Sequence, residues 1–241
     1  MQPLKNVYSI ADMAKKEVKP ASQEKQGNLE EVLTHSEEFF VNNKKTIFGV
    51  LIAIIVIIAG GMFYNAKIAE PREVKASEAL FPGEGYFMNG DYVTALEGDG
   101  ADYIGFGQIA KEFRSTKAGN LANAYAGICC AQLDSFEVAA KYLSKFKGND
   151  QMASPSILGA LANCYASMDK LDKAVSTFLK AAKKADNNLL TPYYLFQAGL
   201  IYESMEKPEQ ALKLYNRIKI EYPASNEASD IENYIVRLTS K

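Results

Sequence analysis

The 241-residue chain balances 27 Lys and Arg against 29 Asp and Glu, is 48% hydrophobic, and contains 14 Tyr, 12 Phe and one His. A net charge of -2 gives no overall basic field for nucleic acid, and His35, lying before residue 46, leaves Ser-His and Cys-His catalysis without a base in the rest of the chain. The length suits one well-packed domain rather than two, once an apolar stretch near the N-terminus is set aside.

In chain order, residues 1–27 mix Lys, Glu, Gln, Ser and Pro with few large apolar side chains, a composition that predicts a disordered tail. Over 28–45, Leu29, Val32, Leu33, Ser36 and Phe40 recur at helical spacing, with Glu30, Glu31, Glu37 and Glu38 mainly opposite. This predicts an amphipathic helix that either extends the following segment into solvent or docks on a bilayer or partner. The stretch 46–66 contains TIFGVLIAIIVIIAGGMFY and no charge. At about 1.5 Å per residue its apolar part reaches roughly 28 Å, close to the hydrocarbon thickness of a bilayer, and it is apolar on every face. It predicts an uncleaved transmembrane helix in contact with lipid. Lysines and an arginine flank it on both sides, but the additional Lys5, Lys15, Lys16, Lys19 and Lys25 favour a cytoplasmic N-terminus.

Residues 67–241 are self-similar. Gly127, Cys130, Ala139 and Leu143 are followed at the same spacing by Ala162, Tyr165, Ala174 and Phe178, then by Gly199, Tyr202, Ala211 and Tyr215. Each copy predicts two helices joined at Asp134-Ser135, Asp169-Lys170 or Glu206-Lys207. Ser154-Pro155 and Thr191-Pro192 are expected to open first helices as cap plus proline, and Pro208 to open a second helix. Gly83, Tyr86 and Ala95 mark a degenerate fourth copy, interrupted by Glu97-Gly98-Asp99-Gly100. A short helix is predicted over 103–113, and a terminal capping helix over 225–238. Small residues allow two helices to approach and the large residue fills the space beside them, so the expected fold is all-α, a transmembrane helix followed by an α-solenoid.

This spacing resembles the tetratricopeptide repeat over roughly 117–223, with Asn123 and Cys130 departing from its usual aromatics. The resemblance implies a concave face lined by first helices, carrying Leu121, Tyr125 and Ile128, then Ser156 and Asn163, then Tyr193, Phe196 and Leu200. A shift of helix phase by one residue would instead place several of these between repeats. The near absence of Lys and Arg on these helices argues against a clamp for a terminal carboxylate and favours a groove for an apolar protein segment.

No cofactor, metal or small-molecule substrate is expected. EGDGAD at 97–102 lacks the ligand spacing of a calcium loop, and Cys129, Cys130 and Cys164 fall at packed positions, as buried thiols or, for Cys130 and Cys164, a possible pair. The layout of tail, span and repeats also resembles the YfgM-like ancillary subunits of the bacterial Sec translocon, through EEFFVNNKKTIFGVLIAIIVIIAG and TKAGNLANAYAGICCAQL. That resemblance implies a non-enzymatic inner-membrane adaptor with a periplasmic repeat domain, binding translocon subunits, periplasmic chaperones or exported chains. A structural scaffold of another envelope assembly, in division, outer-membrane assembly or secretion, would share these features.

Overall fold

The computed structural model describes the backbone over residues 21–240 and the side chains over residues 43–240. Most of the predicted tail, residues 1–20, lies outside the described residues, as do the side chains of the amphipathic stretch up to 42, His35 included. The chain divides into two units, Met1–Phe63 and Tyr64–Lys241.

The described residues of the first unit belong to a helix, α1 (Ala21–Tyr64), which begins ahead of the Asn28 that side-chain spacing suggested. It runs without interruption through the amphipathic stretch and the apolar one as far as Tyr64. Every side chain from Phe48 to Tyr64 is exposed, and the segment is long and apolar enough to cross a membrane. Leaving so much Ile, Val and Leu uncovered would be costly in water.

The second unit opens with a π-helical turn, Asn65–Ala69, and continues as α2 (Glu70–Met88). After it come α3 (Tyr92–Glu97), α4 (Phe106–Glu112), α5 (Lys117–Gln132), α6 (Phe136–Leu143), α7 (Ala153–Ser167), α8 (Leu171–Ala185), α9 (Leu190–Ser204), α10 (Pro208–Glu221) and α11 (Asn226–Thr239). No strand occurs among the described residues. Helix pairs α5/α6, α7/α8 and α9/α10 are the three repeats, each packed on the next, and α11 closes the stack against α9 and α10.

Packing follows the spacing read from the sequence. Ala139, Ala174 and Ala211, one per repeat, are all fully buried, as are Leu143, Phe178 and Tyr215 nearly or completely. A Cβ at Gly127 would stand 2.6 Å from Leu143 Cγ, and one at Gly199 would stand 2.4 Å from Tyr215 Cε1. Only a residue without Cβ permits these approaches. The turns also repeat, since Asp134, Asp169 and Glu206 each adopt left-handed backbone with φ of 55 to 56°.

Three local expectations change. The helix predicted over 103–113 begins at Phe106, because Gly105, at φ 83°, lies against the backbone of Leu96 and Glu97 where a Cβ would collide. Tyr103 turns inward instead, 3% exposed, and donates its hydroxyl to the Ala95 carbonyl at 2.6 Å. With Phe106 it packs over Gly83, doing for the degenerate copy what Leu143 and Tyr215 do for theirs. At the other two positions, Ser154 and Thr191 sit inside the first turns of α7 and α9 rather than capping them. The caps come from upstream: the Asp150 carboxylate accepts from the Met152 and Ala153 amides, and Asn187 Oδ1 accepts from those of Leu189 and Leu190. Ser154 and Thr191 are buried, and their hydroxyls donate to the Asp150 carboxylate and the Ala182 carbonyl respectively.

Candidate protein-binding surface

First helices α5, α7 and α9 each carry residues at matching places in the repeat: Leu121, Ser156 and Tyr193 near their starts, then Ile128, Asn163 and Leu200 seven residues later. Seven residues is close to two helical turns, so each pair shares a face. Leu121 is 37% exposed and Tyr193 39%, large apolar side chains that a folded core has left in solvent. Ser156 and Asn163 are exposed between them in sequence, and Ile128 and Leu200 are half-buried.

Tyr125 and Phe196 have structural partners. The Tyr125 ring stacks on Phe106 at 4.7 Å and meets Phe87 edge-on at 5.0 Å, while its hydroxyl donates to Glu84 at 3.1 Å. Burial, and then the adjacent Glu84 charge, raise its pKa above the ordinary tyrosine value. Phe196 lies 4.9 Å from Tyr234 of the capping helix, edge to face, and 5.9 Å from Tyr215. Below it Glu203 accepts from the Tyr215 hydroxyl and pairs with Arg237 of α11 at 2.7 Å. These two aromatics thus fix the helices that carry the exposed positions.

The surface has little charge of its own. Lys117 and Glu203 are the only ionisable Lys, Arg, Asp or Glu residues within α5, α7 and α9, and Glu203 is committed to Arg237. Sequence spacing missed Phe81 and Met88 on α2, exposed by 75% and 86%.

None of the three thiols is poised as a nucleophile. Cys129, Cys130 and Cys164 are buried free thiols, and desolvation pushes Cys129 up to about 12 and raises the other two. At neutral pH they are protonated and unreactive. In the EGDGAD stretch, the Asp99 carboxylate accepts from the amides of Ala101 and Tyr103 and from the Tyr86 hydroxyl. It organises a turn, and no group of three or more metal-ligating side chains exists among the described residues.

An open stack of helix pairs with exposed apolar residues on its first helices defines a repeat fold of the tetratricopeptide kind. The chain is similar to a kinesin-light-chain-type protein of Podosopora anserina with nearly identical TPR-like repeats: TM-score 0.51, 11% identity, over 69% of this chain and 85% of that one. A second crystal structure of those repeats gives the same TM-score and identity, covering 69% and 86%. The crystal structure of MamA aligns at TM-score 0.48 and 16% identity, covering 66% and 92%. No family model and no curated protein matches. At 11% identity the likeness to the kinesin-light-chain-type repeats is one of fold.

Proposed function

We infer that this protein is a non-enzymatic adaptor, held in a bacterial inner membrane by residues 46–66, with the N-terminus cytoplasmic and the repeat domain periplasmic. The repeat domain binds protein partners through the strip that includes Leu121, Asn163 and Tyr193, and the Sec translocon, with its exported chains and periplasmic chaperones, is the assembly it serves. The observation that carries the binding half is the recurrence of exposed side chains at equivalent places on three first helices, on a framework fixed by Tyr125 and Phe196. Repeat proteins use such surfaces for extended or helical segments. The export assignment is supported by the layout of span and repeats described above.

One experiment tests compartment and partner together. Tyr193→Cys, labelled in intact spheroplasts with a membrane-impermeant photocrosslinking thiol reagent, should take the label and form an adduct with a translocon subunit, an exported chain or a periplasmic chaperone. Because the three native thiols are buried, the parent protein supplies a low background. Protection from the reagent would reverse the topology, and labelling followed only by adducts to other envelope machinery would replace the translocon with that assembly.

A further inference from the structure

The chain is close to neutral overall, yet its cations are not evenly spread. Lys111 and Arg114 at the end of α4, Lys117 at the start of α5, and Lys145 and Lys147 after α6 line one depression of about 850 Å³. No carboxylate lines it. The same Lys147 forms the edge of a second depression whose wall includes Leu143, Phe146, Ile157 and Leu158, and whose far side is Lys184. Lys184 in turn borders a third, with Lys180, Lys183 and Asp186. None of the three draws a wall residue from the strip that includes Leu121 and Tyr193.

These cations have no ion-pair partners among the described residues, where the four salt bridges use Lys207, Arg217, Lys219 and Arg237. Two neighbouring carboxylates are occupied elsewhere, and Asp186 lines the third depression itself. Glu73 accepts from the Lys117 and Ala118 amides at 2.7 and 2.8 Å, and Asp150 caps α7. The first depression is also built rather than incidental. Asn120 donates to the Lys147 carbonyl and accepts from the Lys147 amide, both at 2.8 Å, pinning the segment after α6 across α5. Lys145 is steadied over the Tyr142 ring, 5.5 Å from its centroid.

We propose that this row of depressions is a second docking surface, recognising an extended polypeptide segment that alternates acidic with apolar side chains. Three features favour that occupant. The cations are strung through successive depressions rather than converging on one point, which suits a linear series of carboxylates more than a single phosphate. Leu143, Phe146, Ile157 and Leu158 sit between the cationic groups and supply apolar pockets, as alternate side chains of an extended chain require. The cations, exposed apart from the half-buried Lys184, stand around depressions that a peptide side chain can enter and the plane of a bilayer surface cannot. Single-stranded nucleic acid would instead ask for free aromatic faces along the row, whereas Tyr142 lies under the Lys145 ammonium and Phe146 is half-buried. This surface lies apart from the first-helix strip, and its occupancy does not depend on what the strip binds.

The test uses the full-length protein in detergent and fluorescein-labelled peptides of about ten residues, alternating Glu with Leu, against a Gln-Leu counterpart. The Glu peptide should bind and the Gln peptide should not. Lys145→Glu with Lys147→Glu should weaken binding by more than about tenfold, whereas Lys173→Glu on α8 with Lys213→Glu on α10, the same change of net charge outside the three depressions, should leave it nearly unchanged. Asn120→Ala alters no charge but frees the segment bearing Lys145 and Lys147, and should also weaken the Glu peptide several-fold with the melting transition retained. Equal losses from both charge-reversal pairs, or no loss with a well-folded Asn120→Ala, would reduce the effect to general electrostatics and overturn the proposal. So would tighter binding of an equally charged single-stranded DNA or of phosphatidylglycerol vesicles, which would reassign the row to nucleic acid or to lipid.

Discussion

At Gly199 a single missing carbon decides whether α9 and α10 can pair, because a Cβ there would meet the Tyr215 ring at 2.4 Å. Tyr215 is fully buried and tied by its hydroxyl to Glu203, so it cannot swing aside without breaking that bond. Gly199→Ala should therefore destabilise the protein by about 1 to 3 kcal/mol. Gly85→Ala, where nothing lies within 4 Å of the new Cβ, should be neutral or stabilising by up to about 1 kcal/mol. Paired urea melts of the two variants check this, and equal melts would refute the helix register. Glu206 presents the opposite case, a residue with a Cβ held at φ 56°. Left-handed backbone costs roughly 1 to 2 kcal/mol for such a residue, against roughly 0.5 to 1 for the extra freedom of glycine. Glu206→Gly should raise stability by about 0.5 to 1 kcal/mol, seen as a higher urea midpoint with an unchanged slope. The small-to-large pairing was legible in the sequence because it recurs in Gly127/Leu143, Ala162/Phe178 and Gly199/Tyr215. The left-handed turns were legible only as polar dipeptides, since neither Asp nor Glu announces a positive φ.

Among the elements, α7 and α9 show where local rules misdirect. Ser-Pro and Thr-Pro have the composition of a helix start, yet the caps are Asp150 and Asn187, several residues earlier; the buried Thr191 hydroxyl reaches the Ala182 carbonyl of the preceding repeat, and the buried Ser154 hydroxyl supports the Asp150 cap. Tertiary burial outweighed a capping preference of about 1 kcal/mol. Asp150 carries a pH signature. The Ser154 hydroxyl first, then the amides of the first turn, hold its carboxyl well below the usual carboxylate range. A group whose folded pKa is depressed stabilises above its unfolded value, near 3.9, and loses that contribution as pH falls below it. Asp150→Ala should thus lower stability by about 1 kcal/mol at pH 7 and by progressively less below pH 4, measured as the gap between urea midpoints at the two pH values. A gap that widened in acid would exclude this role. The α4 region was legible as an interruption, from its four-residue Glu-Gly-Asp-Gly signal, but not as a replacement. That Tyr103 and Phe106 cover Gly83 depends on a loop fold which no period reveals.

For the whole molecule, the long apolar helix and the repeat fold were plain from hydropathy and periodicity, because both are properties of spacing along the chain. The surfaces were less so. Near-neutral net charge concealed the gathering of Lys111, Arg114, Lys117, Lys145 and Lys147, which becomes visible only when α4, α5 and the end of α6 are brought together. Within the first-helix strip, spacing could nominate Leu121, Tyr125, Tyr193 and Phe196 alike, whereas the rings around Tyr125 and Phe196 follow from α2, α4 and α11. The central claim is that the exposed members of this strip hold a protein partner. It is tested most directly by combining Leu121→Ala with Tyr193→Ala in the full-length protein and measuring what co-purifies after crosslinking in intact cells, alongside the thermal melt. Each side chain is more than a third exposed, so the melt should move little. Apolar anchors at a contact contribute on the order of 1 to 2 kcal/mol each, so partner recovery should fall by about tenfold or more. Undiminished recovery from a protein with an unchanged melt would contradict the account.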